Sequence, residues 1–400
     1  MQLEQFSQIN TVDNKNLEIL KNPQRSITVN FPLKMDNGEI KLITGFRVQY
    51  NDALGPTKGG LRFHQTINQD EVSELAFLMS LKTSLAGLPY GGAKGGVKIN
   101  PKELSEGELE RVARGFMRAI ASFIGVKKDI PAPDVNTNPK IMGWMRDEYE
   151  KIVGHPEPGI ITGKNLDDGG SQGRETSTAR GAFFIIEEMF REVDKSQQTV
   201  AIQGFGNVGL HLADFLSKMG FKIVAVSDSQ TGIYNPRGLE VNKLIQFKRE
   251  RQSFIKFPAE KISNDKLLGL EVDILAPSAL GGVIKSVNVE EIKAKTIIEL
   301  ANAPISAEAD RILTEKGVVI IPDILANSGG VIVSYFEWVQ NLENKYWTAE
   351  EVDTKLKNKI LTAYQKVAAE TKSQNISHRL ASYSIAIRRI IDAEKERGAL

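Results

Sequence analysis

The segment that most constrains the fold of this chain is a glycine-rich turn between an apolar, strand-like run and a helix-like run. Residues 200–203 (VAIQ) precede the turn, residues 204–209 (GFGNVG) form it, and residues 210–219 follow. In a β-α-β unit the first glycine permits the tight bend, the second lets backbone approach a pyrophosphate, and the third lets helix pack on strand. This context favours a Rossmann-type dinucleotide site over a plain strand-helix turn. The predicted cofactor-binding residues of the turn are Gly204, Phe205, Gly206, Asn207 and Val208.

A carboxylate ends the next apolar run of this region. Asp228 follows the strand-like residues 222–227, at a position where an acidic side chain binds the ribose hydroxyls of NAD and repels a 2′-phosphate. The neighbouring hydroxyls of Ser227, Ser229 and Thr231 can hydrogen-bond a phosphate if Asp228 points into the sheet. We therefore predict NAD as the cofactor, with NADP possible.

The order of the predicted elements divides the chain in two. Residues 155–175 are rich in Gly, Pro and Asp, which is typical of a domain boundary. A helix near 176–193 and a β-α-β series of strands follow, which predicts a parallel sheet. The predicted strands lie at 199–203, 222–227, 272–276, 296–300 and 318–321, and the last 75 residues read as helices. The fold class expected is α/β, with an N-terminal α/β domain and a Rossmann domain separated by a cleft.

Local signals in the N-terminal half predict a hairpin and three helices. Alternating apolar residues in 27–33 and 40–50 flank Asn37-Gly38, a pair that favours a tight hairpin turn. Helix start signals lie at Asn68, Ser105 and Asn138-Pro139,.

Three lysines of the N-terminal half have unusual surroundings. Glycines flank Lys58 in GPTKGGLRF (55–63) and Lys94 in LPYGGAKGG (88–96), so main chain and ammonium can approach a small ligand together. Lys82 lies on the apolar stripe of the first predicted helix, where a cation is unfavourable without an anion. Taken singly, Lys58 and Lys94 are explained as surface lysines on loops, and Lys82 as a lysine that extends its ammonium from an apolar face to solvent. Together they predict an anion site, and crowding with burial would lower a lysine pKa enough for acid–base catalysis.

A fourth candidate is an acidic residue beside two prolines. Pro131 and Pro133 stiffen the segment that holds Asp134 just before the helix at Pro139. On its own, an aspartate in this setting is more typical of a turn or a helix cap than of a catalytic group.

With these motifs, the chain resembles the hexameric glutamate dehydrogenases of the amino-acid dehydrogenase superfamily over nearly its whole length. The resemblance rests on GPTKGGLRF, LPYGGAKGG, PAPD (131–134), GFGNVG, and NSGGV (327–331) leading to Ser334. It implies that Lys94 is the catalytic base and Asp134 the proton shuttle. The substrate-binding residues it implies are Lys82 for the α-carboxylate, and Lys58, Gly59 and Ser334 around the γ-carboxylate. Thr178 and Asn302 are implied to lie near the nicotinamide.

The resemblance also implies an activity and an assembly. The activity is reversible oxidative deamination of L-glutamate to 2-oxoglutarate and ammonium with hydride transfer to NAD(P), and the assembly is a homohexamer. Residues 1–175 would be the substrate-binding and oligomerisation domain, 176–371 the dinucleotide-binding domain, and a helix at about 372–400 would return to the first domain. Two departures, Ser177-Thr178-Ala179 and residues 299–302 (ELAN), alter the surroundings of the nicotinamide.

Three alternatives remain at this point. Leucine, valine and phenylalanine dehydrogenases share the cofactor motif, but their substrates have no distal carboxylate to pair with Lys58. A serine hydrolase would use Gly169-Gly170-Ser171-Gln172-Gly173, although the polar residues 164–168 before it are unlike the apolar strand that such an elbow needs. A non-catalytic NAD-binding regulator would keep the fold alone.

Composition limits the partners and the compartment. Lys and Arg number 51 against 50 Asp and Glu, for a net charge of +1, so no charge excess favours nucleic acid. The chain has no cysteine, which leaves no disulfide or cysteine zinc site and indicates a reducing compartment. Without a signal peptide or an apolar run of ~18 residues we expect no membrane partner and a cytoplasmic protein. The four histidines (64, 155, 211 and 378) show no ligand spacing, so no metal site is expected.

Overall fold

The N-terminal half of the chain forms a five-stranded mixed sheet flanked by three helices. The computed structural model describes residues 17–399. The strands are β1 (Arg25–Lys34), β2 (Ile40–Asn51), β3 (Thr57–Phe63), β4 (Gly91–Val97) and β5 (Asp129–Pro133), and the helices are α1 (Gln69–Leu85), α2 (Glu106–Ile120) and α3 (Pro139–Val153). The strand order is β1-β2-β4-β3-β5. Strands β3, β4 and β5 run parallel to one another, and β1 and β2 are antiparallel.

The predicted hairpin and helix starts are confirmed. Strands β1 and β2 pair from Arg25↔Gln49 to Lys34↔Ile40, and Gly38 in their turn has a φ of +89°. The Asn68 side chain accepts a hydrogen bond from Glu71 N–H at 2.9 Å. Ser105 forms a full capping box, and Asn138 caps α3. These local signals act within one turn of the chain, which is why the sequence alone reveals them.

The two glycine-flanked lysines lie on neighbouring strands, which contradicts the alternative that they are surface lysines on loops. Lys58 belongs to β3 and Lys94 to β4. A Cβ at Gly59 would lie 1.5 Å from the carbonyl oxygen of Ala93, and one at Gly92 would lie 2.2 Å from the backbone nitrogen of Ser80. Glycine is needed because the strands and α1 approach one another too closely for side chains.

The C-terminal half contains a seven-stranded sheet. Its strands are β6 (Thr199–Gln203), β7 (Lys222–Ser227), β8 (Gly232–Tyr234), β9 (Glu260–Ile262), β10 (Ile274–Pro277), β11 (Thr296–Ile298) and β12 (Val319–Ile321). Their order in the sheet is β12-β11-β10-β6-β7-β8-β9. Its helices are α4 (Ser177–Met189), α5 (Asn207–Lys218), α6 (Val241–Arg249), α7 (Asn264–Leu268) and α8 (Ala307–Glu315). Strands β12, β11, β10, β6 and β7 are parallel, which confirms the predicted α/β class. Strands β8 and β9 add an antiparallel edge that was not predicted, because three residues carry no readable period.

The last part of the chain is helical and returns to α1. The helices are α9 (Asp323–Ala326), α10 (Gly329–Glu343), α11 (Ala349–Gln374) and α12 (His378–Glu396). Ser84 Oγ donates a hydrogen bond to the carbonyl of Ala386 at 2.7 Å, and the Arg389 guanidinium donates to the carbonyls of Ser84 and Leu88. Helix α12 therefore ties the end of the chain to the N-terminal half. Within residues 17–399, no helix has the length and apolarity to cross a membrane.

Candidate active site

A cavity of about 340 Å³ lies between the two halves of the chain and collects most of the predicted site residues. The N-terminal half contributes Lys58, Gly59, Lys82, Lys94 and Asp134, and the C-terminal half contributes Thr178, Val208, Asn302 and Ser334. The three lysines are only 1%, 9% and 6% exposed, in chain order. Buried cations that converge on one cavity are suited to an anionic ligand.

Lys82 projects from α1 toward two amide side chains. Its ammonium donates hydrogen bonds to Asn327 Oδ1 at 2.6 Å and Asn302 Oδ1 at 3.3 Å. Burial lowers the pKa of Lys82 to about 8, against the opposing charge of Asp323. The apolar stripe predicted for α1 divides here, since Val72 and Leu85 are buried in the core, whereas Leu75 and Leu78 are only partly buried and line the cavity beside Lys82.

Lys94 and Asp134 form an ion pair at the cavity wall. Asp134 directly follows β5, and Arg62 Nη2 lies 3.4 Å from its Oδ2. A Cβ at Gly60 would lie 2.8 Å from the Cβ of Asp134, so this glycine lets the aspartate reach the strand. Burial alone would raise the pKa of Asp134, but the charges of Lys94 and Arg62 outweigh it and the pKa is lowered. The pair places a proton donor and a proton acceptor in direct contact.

Lys58 lies deeper in the cavity and has weak compensation for its charge. Its ammonium lies 3.5 Å from the carbonyl oxygen of Pro131. Burial, together with the nearby charge of Arg174, lowers the pKa of Lys58 well below its usual value, although Glu337 opposes this. A bound carboxylate would supply the missing partner.

Arg174 is a site residue that the sequence analysis missed. Its side chain lines the same cavity as Lys58, and its Nε has no hydrogen-bond partner in the described part of the chain. Burial lowers the pKa of Arg174. The residue stands in the segment interpreted as a domain boundary; the signal was an arginine among glycines shortly before Thr178.

Ser334 lines the cavity and faces Thr162, whose N–H donates to the same Pro131 carbonyl that lies beside the Lys58 ammonium. Their hydroxyl oxygens lie 2.6 Å apart. Ser334 belongs to α10, and Thr162 belongs to the segment after α3. The site therefore offers a hydroxyl beside the buried cations.

The glycine-rich turn has the geometry of a phosphate cradle. Gly204 has a φ of +96°, and no atom lies within 4 Å of a Cβ placed at Gly206. A Cβ at Gly209 would lie 2.0 Å from the carbonyl oxygen of Gly204, so the third glycine permits the packing of α5. Helix α5 starts at Asn207 without a side-chain cap, which leaves N–H groups for an anion. These residues fit the diphosphate of a dinucleotide.

Two predicted cofactor residues have their polar groups engaged within the protein. Phe205 N–H donates to the carbonyl of Ser227 at 2.6 Å, and the Phe205 ring is buried against Phe254. Asp228 Oδ1 accepts hydrogen bonds from the N–H groups of Gln230 and Thr231. Contact of Phe205 and Asp228 with a cofactor stays a prediction.

Thr178 and Asn302 lie on the C-terminal side of the cavity. A Cβ at Gly330 would lie 2.8 Å from Thr178 Oγ1, so the start of α4 approaches α10 closely. Asn302 Oδ1 also accepts a hydrogen bond from Asn327 Nδ2 at 3.2 Å. The two residues are thereby brought to the same cavity as Lys82.

The hydrolase alternative lacks its structural context. A short 3₁₀ helix at Leu166–Asp168, not a strand, precedes Gly169. Ser171 is buried, donates to the carbonyl of Gln172, and accepts from Gln340 Nε2 at 3.0 Å. Its hydroxyl is engaged in structure rather than presented as a nucleophile.

Comparison with protein families gives two matches. Residues 169–398 match the glutamate/leucine/phenylalanine/valine dehydrogenase family, and residues 23–151 match the dimerisation domain of the same group.

Characterised relatives are similar over almost the whole chain. The glutamate dehydrogenase of Thermotoga maritima is 46% identical, with coverage of 100% of this chain and 97% of the relative. The catabolic NAD-specific glutamate dehydrogenase of Bacillus subtilis is 45% identical over 95% of this chain and 90% of its own. The NADP-specific enzyme of Synechocystis is 45% identical over 95% and 92%. Among solved structures, the hetero-hexameric glutamate dehydrogenase of Thermus thermophilus, in a leucine-bound form, superimposes with a TM-score of 0.93 at 32% identity, covering 99% and 95%.

Proposed function

Because the chain belongs to the glutamate/leucine/phenylalanine/valine dehydrogenase family, we propose that it is a glutamate dehydrogenase. The reaction is the reversible oxidative deamination of L-glutamate to 2-oxoglutarate and ammonium, with NAD(P) as the hydride acceptor. The observation that carries this choice of substrate is the presence of two cations, the buried Lys58 and the partly buried Arg174, on the wall of the same cavity. A leucine, valine or phenylalanine side chain would leave both cations without an anion, whereas a distal carboxylate neutralises them.

The substrate roles follow from the positions of the cations. Lys82, held by its two amide partners, binds the α-carboxylate. Lys58 binds the γ-carboxylate, with Gly59 and Ser334 beside it. Arg174 supplies further positive charge at the same end. Two carboxylate subsites in one cavity fix both ends of the substrate, and so orient its Cα for reaction.

The proton chemistry belongs to Lys94 and Asp134. The dinucleotide, when bound, supplies a nicotinamide ring that accepts hydride from the substrate Cα. Lys94 in its uncharged form removes a proton from the water that attacks the resulting iminium carbon, and Asp134 moves protons to and from the substrate nitrogen. Their direct ion pair allows proton exchange between them.

The C-terminal half supplies the cofactor site. Gly204, Gly206, Asn207 and Val208 lie where the diphosphate meets the start of α5, and Thr178 and Asn302 lie toward the nicotinamide. NAD is the expected cofactor and NADP a possible one. Relatives of each specificity, at 45% identity, support that breadth.

Domain roles, assembly and location are part of the same proposal. Residues 1–175 act as the substrate-binding and oligomerisation domain, residues 176–371 bind the dinucleotide, and the segment from about 372 returns to the first. The contacts of α12 with α1 support that return. We propose a homohexamer, supported by the hexameric assembly of the Thermus neighbour, and a cytoplasmic location, where the amino acid and the cofactor are available.

One assay tests the function. Purified protein is mixed with NAD or NADP and a panel of L-glutamate, leucine, valine, phenylalanine and norvaline, and reduced cofactor is followed by absorbance. Glutamate should give by far the highest kcat/KM. A preference for an apolar amino acid would assign the chain to another branch of the family, and turnover of no amino acid would indicate a non-catalytic dinucleotide-binding protein.

A further inference from the structure

The two amides that hold Lys82 are themselves joined to each other. Asn327 Oδ1 accepts from the Lys82 ammonium at 2.6 Å, and Asn327 Nδ2 donates to Asn302 Oδ1 at 3.2 Å. Asn302 Oδ1 also faces the ammonium at 3.3 Å. The position of Lys82 therefore depends on the backbone that carries Asn302.

Asp323 holds that backbone. Its Oδ2 accepts a hydrogen bond from Ala303 N–H at 2.8 Å, and its Oδ1 accepts from Ile324 N–H at 2.8 Å. Ala303 has a φ of +44°, in the left-handed region that residues with side chains rarely adopt. Such a conformation persists only where surrounding contacts hold it. A hydrogen bond to a buried carboxylate is a strong contact of this kind.

A buried cluster joins Asp323 to α12. Glu299 Oε2 accepts from Asp323 N–H at 2.9 Å, and Glu299 Oε1 lies 2.6 Å from Arg379 Nη2. Arg379 Nε lies 2.8 Å from Asp310 Oδ1, and its Nη1 lies 4.0 Å from Asp323 Oδ1. Burial raises the pKa of Glu299 to about 7, although Arg379 opposes it. One guanidinium thus faces three carboxylates, and Asp323 is the one that lies farthest from it.

Lys82 faces charged groups from several elements. Burial lowers the pKa of Lys82, Asp323 is the strongest opposing influence, and Asp134 opposes as well, while Lys94 lowers the pKa further. Asp323 is thus linked to Lys82 both through Ala303 and Asn302 and through its charge.

We propose that Asp323 is a positioning residue for substrate binding, which holds Ala303 so that Asn302 meets Lys82 and which favours the charged form of the Lys82 ammonium. The inference rests on the proposed function in one respect, namely that Lys82 binds the α-carboxylate of the substrate.

The test compares two isosteric variants in the same cluster. Asp323→Asn removes the charge and keeps an oxygen for Ala303 N–H. Asp310→Asn, the matched control, removes a carboxylate that contacts Arg379 and makes no bond to Ala303. Acetylation of Lys82 by acetic anhydride, quantified by mass spectrometry across a pH series, reports the pKa of Lys82 in the free protein. The midpoint should move to lower pH in Asp323→Asn and stay in place in Asp310→Asn. An unmoved midpoint in Asp323→Asn would overturn the proposal.

A second variant covers the case in which Asp323→Asn does not fold. Asp323→Glu keeps the charge but displaces the oxygen that Ala303 uses. The KM for glutamate should rise about tenfold, the equivalent of one charge-assisted hydrogen bond. The pH above which the KM rises, as Lys82 loses its proton, should stay the same as in the wild type. An unchanged KM in this variant would overturn the proposal.

Acetylation requires no activity, so the two hypotheses are separable. A shifted Lys82 midpoint in a protein that oxidises no amino acid would keep the positioning role and refute the proposed function. An active glutamate dehydrogenase with an unshifted Lys82 midpoint in Asp323→Asn would keep the proposed function and refute the positioning role.

Discussion

Lys164 Nζ and Glu337 Oε1 lie 2.8 Å apart, and neither side chain has any solvent exposure. Glu337 also accepts from Gly163 N–H at 2.8 Å, and the Lys164 ammonium donates to the carbonyl of Ile161 at 2.6 Å. Because Glu337 lies one turn after Ser334 on α10, the pair fixes this helix against the segment that carries Thr162. The distal end of the cavity is thus built on a buried ionic junction between the two halves of the chain.

Breaking this junction on one side should destabilise the protein strongly. Lys164→Met or Glu337→Gln alone leaves a buried charge without its partner, and each should lower the free energy of unfolding by about 3–5 kcal/mol. The combined Lys164→Met/Glu337→Gln variant should lose much less than the sum of the two single variants, since neither member of the pair is then left charged without the other. Urea unfolding followed by tryptophan fluorescence measures this. Additive losses would show that the two residues are not coupled.

The ion pair of Lys94 and Asp134 predicts a loss of turnover with intact cofactor binding. Lys94→Ala should reduce kcat by at least about 100-fold, the low end for general acid–base catalysis. Asp134→Asn should show a comparable loss, with little change in glutamate binding. Lys98→Ala, an exposed lysine directly after β4, is the matched control. Near-normal turnover in Lys94→Ala would remove the residue from the mechanism, and a pure KM effect in Asp134→Asn would make its role structural.

Substrate choice should depend on Lys58. Lys58→Leu leaves the γ-carboxylate without one cation and places an apolar group in the cavity. The transition state for glutamate should therefore lose about 2–3 kcal/mol of stabilisation, which lowers kcat/KM roughly 30- to 150-fold. Norvaline and leucine should gain relative to glutamate, while Lys98→Leu should leave the ranking unchanged. A variant that keeps the wild-type preference for glutamate would show that Lys58 does not face the distal carboxylate.

Glutamate binding should weaken on the alkaline side. Lys82 must be charged to hold the α-carboxylate, and burial lowers its pKa to about 8. The fraction of protonated Lys82 therefore falls as the pH rises through about 8, and the KM for glutamate should rise above that pH. Initial rates at saturating cofactor measure it from about pH 6.5 to 9.5. Lys82→Met should have a high KM that does not rise further above this pH. A wild-type KM that rises only toward acid pH would contradict the role of Lys82 in binding the α-carboxylate.

Local sequence signals predicted the fold more completely than they predicted the arrangement of residues in the cavity. The caps at Asn68 and Ser105 and the hairpin turn at Gly38 are decided by neighbours in sequence, and all three are present. The strand conformation around Lys58 and Lys94 was not readable, because glycine is a poor strand former that is needed here only for close packing between distant elements.

The rest of the site depends on contacts between residues far apart in the chain. Arg174 became a candidate only when folding brought it into the cavity of Lys58. The backbone bonds that engage Asp228 are equally invisible in the sequence, because a carboxylate at the end of a strand gives no sign of where it points.

The final prediction concerns the choice of cofactor, which depends on Asp228. Its Oδ1 accepts from the N–H groups of Gln230 and Thr231, and its Oδ2 lies 3.3 Å from Phe254 N–H and 4.0 Å from Lys248 Nζ. Burial alone would raise the pKa of Asp228, but the backbone N–H groups outweigh it and the pKa is lowered. The carboxylate therefore stays charged near neutral pH, and a 2′-phosphate placed beside it would be repelled.

NAD should accordingly give the higher kcat/KM, and NADP should be used less well. Asp228→Ser should raise kcat/KM for NADP and so bring it closer to the value for NAD. Lys248→Gln should lower kcat/KM for NADP more than for NAD, because Lys248 is the cation beside that carboxylate. The comparison to make is kcat/KM for both cofactors in the wild type and the two variants. A wild-type preference for NADP that Asp228→Ser leaves unchanged would contradict this prediction. It would show that Asp228 only stabilises the turn at residues 228–231 and that other residues determine the cofactor preference.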